Sequence, residues 1–130
     1  MDMAEDTILA GSNRQEKPVS LFSYNMRKKI SDIEFESSNA RDRRAGDVFG
    51  ARFSKDSENS VIFACGAGKN EFRVFDNDTT NNGTYRNLGS FGNYNEAFFT
   101  VDTSPSGRLV AMGTSQGHVY ISSYDFSGLD

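Results

Sequence analysis

The chain has 130 residues, enough for one domain and short of two. Its 14 Lys and Arg are outnumbered by 18 Asp and Glu, and the net charge of −4 argues against a nucleic-acid backbone as partner. No apolar run approaches the ~20 residues of a membrane helix, the acidic start Met1-Asp2-Met3-Ala4-Glu5-Asp6 lacks the layout of a secretory signal, and a single Cys excludes an internal disulfide framework. An intracellular, acidic protein with no membrane association is expected. Hydrophobic residues make up only 36%, but 11 Phe and 5 Tyr supply core bulk.

In chain order, no long stretch carries apolar residues at helical spacing with a cap at each end. Short runs of β type, separated by Gly, Asn, Asp and Ser, take their place. The predicted strands are Thr7–Gly11, Val19–Tyr24, Ile30–Phe35, Val48–Phe53, Val61–Gly66, Phe72–Phe75, Asn87–Phe91, Phe98–Thr103, Leu109–Gly113 and Val119–Ser122. Short strands at near-even spacing predict an all-β fold.

The runs repeat. Ile8-Leu9-Ala10-Gly11, Ile62-Phe63-Ala64-Cys65-Gly66 and Leu109-Val110-Ala111-Met112-Gly113 are each apolar and end in Gly. A polar turn and a second run follow each: Val19-Ser20-Leu21-Phe22, Phe72-Arg73-Val74-Phe75 and Val119-Tyr120-Ile121-Ser122. The two later units share a leading strand. Val48, Ala51 and Phe53 precede Ser54-Lys55-Asp56, and Phe98, Val101 and Thr103 precede Ser104-Pro105-Ser106-Gly107. Gly66 and Gly113 are 47 residues apart.

This pattern of strand, Ser-Pro-x-Gly-like turn, apolar strand ending in Gly, polar turn and alternating strand resembles the WD-repeat β-propeller family, whose repeat is about 40–45 residues and four strands. The resemblance spans residues 7–124 and is fullest in Phe98–Ser123. It also departs from the family. The family's Trp position holds Phe22, Phe75 and Ser122, its Asp position holds Ser23, Asp76 and Ser123, and Asn93-Tyr94 stands where a Gly-His pair would precede Phe98. The family's His–Asp–Ser–Trp hydrogen-bond network is therefore not expected here.

The resemblance implies a partial WD-like propeller of about three four-stranded antiparallel blades, not closed by this chain alone. Residues 1–35 are expected to form a partial blade lacking its first strand, and 36–47 a polar, Arg-rich connection. Residues 48–91 are expected to form a complete blade, and 92–130 a partial blade lacking its fourth strand, with a short tail. Such a chain looks like the C-terminal portion of a longer propeller, a fragment completed by further blades from a longer chain or another chain. Left open, its apolar end faces are expected to make it aggregate or oligomerise.

Candidate chemistry is sparse. Gly66-Ala67-Gly68-Lys69-Asn70 lacks the first Gly and the hydroxyl of a phosphate loop, with Phe63 and Asn70 in those places. Asp76, Asp78 and Thr80 alternate as in a calcium loop, but Asn81 and Asn87 replace its Gly and Glu. His118 is expected in an exposed turn and Cys65 as a buried, inert thiol. One Cys and one His leave no internal zinc site. No cofactor or metal is expected. Arg27-Lys28-Lys29 and the cluster Arg41, Arg43 and Arg44 are the basic groups. Arg41, Arg43 and Arg44 are the candidate partner contacts, and solvated loops balanced by Asp32, Glu34, Glu36 and Asp42 are the plainer reading. Arg73 is expected to point outward.

The expected function is a non-catalytic scaffold docking other proteins on its loop faces, and the resemblance brings in cytoplasmic assembly platforms, including cytoskeletal and ciliary ones. An enzyme with its site in the propeller channel is the alternative, although the inner strands offer only Arg52 and Asp102. A free-standing β-domain that binds a ligand is a further one.

Overall fold

The computed structural model describes residues 1–14, 17–33, 47–56, 58–66, 72–77, 85–91 and 96–123. Eleven strands run through them: β1 (Asp2–Ala4), β2 (Thr7–Gly11), β3 (Val19–Ser23), β4 (Lys28–Ile33), β5 (Val48–Phe53), β6 (Val61–Gly66), β7 (Phe72–Asp76), β8 (Asn87–Phe91), β9 (Phe98–Thr103), β10 (Leu109–Thr114) and β11 (Val119–Ser123). They form three antiparallel meanders, β1-β2-β3-β4, β5-β6-β7-β8 and β9-β10-β11. The chain is all-β, and its sheets stack as propeller-like blades in an open set.

Side-chain alternation along each strand divides the apolar residues between two cores. Leu9, Val19, Leu21 and Ile33 of the first sheet pack on Ala51, Phe53, Ile62, Ala64 and Phe75 of the second. Val61, Phe63, Cys65, Phe72 and Val74, on the other face of the second sheet, pack on Phe98, Val101, Val110 and Met112 of the third. Every residue of β6 is consequently buried. Neighbouring sheets also touch through their backbones. Val48 N–H donates to the Ser12 carbonyl at 3.0 Å. A Cβ on Gly11 would lie 2.7 Å from the Val48 carbonyl oxygen, so only Gly lets the sheets come this close.

The turns after β5 and β9 are closed by the same pair of bonds. Ser54 N–H donates to the Val61 carbonyl at 2.9 Å, and Val61 N–H donates to Ser54 Oγ at 3.1 Å. Ser104 and Leu109 make the same pair of bonds at the same two distances. In the longer of the two turns, Asp56 accepts from the hydroxyls of Ser54 and Ser60 and from Ser60 N–H at 3.1 Å. Gly107 adopts φ +76, a conformation costly for other residues, beside the Asp56 backbone of the preceding turn.

Four expectations need correction. The first sheet does not lack its leading strand, because Asp2–Ala4 pairs with β2; three residues are too few to show a period. The strand expected at Ile30–Phe35 begins at Lys28, since an outermost strand keeps lysines solvated, and residues 34 and 35 lie outside the described residues. Pairing matches Gly113 with Cys65 and not with Gly66: Gly113 pairs with Val119 as Cys65 pairs with Phe72. Arg73 is only 4% exposed, because its sheet is covered on both faces.

Candidate interaction surfaces

The three sheets superpose in register strand by strand. Leu9, Phe63 and Ala111 are the third residues of β2, β6 and β10, and Leu21, Val74 and Ile121 are the third residues of β3, β7 and β11. Each pairs with its counterpart across the hairpin. In the first two sheets these positions face the following sheet and are buried. The third sheet has the same face without a cover among the described residues: Leu109 is 48% exposed, and Val119 and Ile121 are each 69% exposed. The opposite face of the first sheet is partly open among the described residues, with Ile8, Ala10 and Phe22 half-buried. Met1, Ile8, Ala10, Phe22 and Lys28 line a shallow trough of about 680 Å³ there. Lys29, Arg14 and Ser20 converge on Asp32 at its side. Burial opposes ionisation of Asp32, but the hydrogen bonds from Ser20, Lys29 and Arg14 outweigh it, and its pKa falls well below the usual carboxylate range.

Charges recur at one position of the leading strands. Asp2, Arg52 and Asp102 share a register, opposite Leu9, Phe63 and Ala111. Arg52 Nη1 lies 3.6 Å from Asp2 Oδ1, and its Nε donates to the Val101 carbonyl at 3.3 Å. Asp2 also accepts from Phe53 N–H at 2.9 Å. Lys55 donates to Asp102 at 3.1 Å and to the Thr103 carbonyl at 2.8 Å. The Lys55 ammonium leads the influences that lower the Asp102 pKa, followed by Thr103 N–H and opposed by burial. Charge thus runs acid, base, acid from sheet to sheet.

Two aromatic rings stand at matching irregularities. The β5–β6 pairing passes from Val48 to Gly50 and the β9–β10 pairing from Phe98 to Thr100, so Phe49 and Phe99 are the bulged residues. A bulge re-aims its side chain. The two rings meet edge to face with centroids 5.3 Å apart, and each residue is about half exposed.

A buried carboxylate organises the third sheet. Glu96, 6% exposed, accepts from Thr114 Oγ1 at 2.7 Å and from the Tyr120 hydroxyl, and lies 2.8 Å from His118 Nδ1. An ionised carboxylate only accepts, so Nδ1 carries the proton. The Tyr120 hydroxyl, then Thr114 and His118, hold the Glu96 pKa below its ordinary value against the effect of burial. The cluster pins the entry to β9 onto the turn after β10, where Ala97 N–H donates to Ser115 Oγ at 3.0 Å and Ser115 N–H to the Ala97 carbonyl at 2.9 Å. Thr114 and His118 both donate to one carboxylate, so among the described residues this cluster does not line up as a carboxylate–imidazole–hydroxyl relay. Among the described residues no group of three or more His, Cys, Asp or Glu is placed to hold a metal ion.

Sequence reasoning placed His118 in an exposed turn; its side chain is 59% exposed, yet it is tied to Glu96. Cys65 is fully buried, and burial pushes its thiol pKa up to about 12. Arg41, Arg43 and Arg44, the candidate partner contacts, lie outside the described residues, as do Asp78 and Thr80. Lys28 and Lys29 sit on the outermost strand of the first sheet. The residues that sequence reasoning missed are Asp2 and Glu96. Register could have found Asp2, since it precedes its hairpin as Arg52 and Asp102 precede theirs. Glu96 gives no local signal, because its partners lie 18 to 24 residues away.

No family model matches the sequence, and no curated protein matches it. Solved structures do. A chain in the "Crystal Structure of Mitotic Checkpoint Complex" superposes with a TM-score of 0.70 at 12% sequence identity. The alignment covers 92% of this chain and 33% of that one, so this chain spans about a third of its length. At that identity the likeness is one of fold.

Proposed function

We propose that this chain is a non-catalytic protein-interaction module, part of a WD-like propeller whose partners dock on its uncovered surfaces. The observation that carries the reading is the third sheet's face: Leu109, Val119 and Ile121 are exposed at the positions where the other two sheets bury their cores. Exposed apolar residues gathered on one face mark an interaction site. Two further features support it. The Glu96 cluster satisfies itself and leaves no group poised for chemistry, and the fold is shared with a chain solved within a multiprotein complex. A groove of about 240 Å³ at the turn end, between Glu5, Asn59, Asn77 and Tyr85, offers polar groups to a partner on the loop face.

Photo-cross-linking tests the proposal. A cross-linking residue replaces Ile121 in the protein in its own cells, and adducts are identified by mass spectrometry. Protein adducts that Val119→Glu abolishes are expected. Adducts no more frequent than those formed from Ser106, on the turn before β10, would remove the reading.

A further inference from the structure

The open face of the third sheet carries information about what covers it. Among the described residues two junctions between sheets exist, and both are built alike. The face with Leu9, Val19 and Leu21 receives Ala51, Phe53, Ile62 and Phe75. The face with Val61, Phe63, Phe72 and Val74 receives Phe98, Val101, Val110 and Met112. In both, the arriving sheet brings its leading strand alongside: β5 comes to β1 and β2, and β9 comes to β5 and β6. Each arrival also sets a charge beside its opposite. Arg52 comes to Asp2 at 3.6 Å. Asp102 comes to the second sheet, where Lys55 holds it at 3.1 Å and Arg52 favours its ionised form. The face with Leu109, Ala111, Val119 and Ile121 is the same surface one step on, with Asp102 at its leading edge and the Asp102 side chain 66% exposed.

We propose that this face seats a β-sheet whose apolar side covers Val119 and Ile121 and whose leading strand carries a Lys or Arg at the register of Arg52, beside Asp102. The inference rests on the docking function above and names the chemistry of the docked surface. A second copy of this chain has the required shape, since Ile8, Ala10 and Phe22 correspond to Ile62, Ala64 and Phe75. Arg27, Lys28 and Lys29 lie on that face as well, but at the leading-strand register it has the wrong charge. Its Asp2 stands at the Arg52 register and would meet Asp102. Juxtaposed like charges select against a partner that fits in other respects. The natural occupant is therefore a basic-edged sheet from outside this sequence and not a second copy.

Charge reversal turns the second copy into a probe. Sedimentation velocity compares the unmodified chain with Asp102→Asn, Asp102→Lys and Asp102→Lys/Ile121→Glu, at about 50 mM and about 500 mM salt. Asp102→Asn keeps an acceptor for Thr103 N–H, now bonded at 2.8 Å, and guards against a folding defect. Self-association is expected to tighten by a few-fold for Asp102→Asn and by about tenfold for Asp102→Lys at low salt. The gain should shrink at high salt and vanish with Ile121→Glu. Association of the unmodified chain as tight as that of Asp102→Lys would overturn the proposal and make a second copy the occupant. Association abolished by Ile121→Glu but indifferent to residue 102 would overturn the charge assignment while leaving the docking face intact. Indifference to Ile121→Glu would overturn both.

Discussion

Leu21 and Ile121 occupy the same place in their sheets, so they offer a matched pair. Leu21 is 2% exposed between the first and second sheets, whereas Ile121 is 69% exposed. Leu21→Ala removes three buried carbons and leaves a cavity against Ile62, Ala64 and Phe75, whose own sheet holds them in place. Such truncations cost about 3 kcal/mol. For a chain of this size that lowers the melting temperature by about 10 °C. It is also a large part of a total stability of about 5–15 kcal/mol. Ile121→Ala removes side-chain surface that water already reaches, and should change stability by less than about 0.5 kcal/mol. Urea titration followed by far-UV circular dichroism and tyrosine fluorescence measures both, the chain having no Trp. Equal losses would refute the order of sheets, because they require Ile121 to be buried in the folded chain.

Other expectations concern single groups. Cys65, with its thiol pKa pushed up to about 12 by burial, should react with a disulfide reagent at neutral pH only when denaturant opens the fold, and a fast native-state reaction would contradict its placement. Among the described residues Thr103 Oγ1 is buried without a hydrogen-bond partner, so Thr103→Val should be neutral or stabilise by up to about 1 kcal/mol in the same urea titration, and a clear loss would reveal a hidden partner. Stability should be level from about pH 7 to about pH 5 and decline below about pH 4. The pKa values of Asp6, Asp32, Asp56, Glu96 and Asp102 are lowered in the folded chain, so their contribution is complete above the unfolded values and lost as pH falls through the folded ones. A midpoint that rises on acidification would contradict the hydrogen-bond assignments.

Strand periodicity carried most of the architecture. Val48–Phe53, Val61–Gly66 and Asn87–Phe91 have the bounds that short β-type runs between turn residues imply. The serine turns were legible because the backbone N–H they bind calls for a short side chain with an acceptor oxygen at one position. Asp2–Ala4 was not, since its partner is one short turn away and its charge reads as a solvated terminus. Arg73 was misplaced for a related reason. In a sheet covered on both sides a polar residue can be buried, and alternation alone cannot tell one covered face from two. The chemistry of the surfaces was least legible. Asp2, Arg52 and Asp102 mean little singly, and their alternation of sign emerges only when the pairing registers align them.

Strand β6 has no side that meets water. Displacing it by one residue would exchange Ile62 and Ala64 for Val61, Phe63 and Cys65 in two cores at once. Gaining or losing an entire sheet at either end disturbs one junction and leaves the other as it was. Lineages of such a chain can therefore change length in steps of a whole sheet far more readily than by a single inserted codon in the middle.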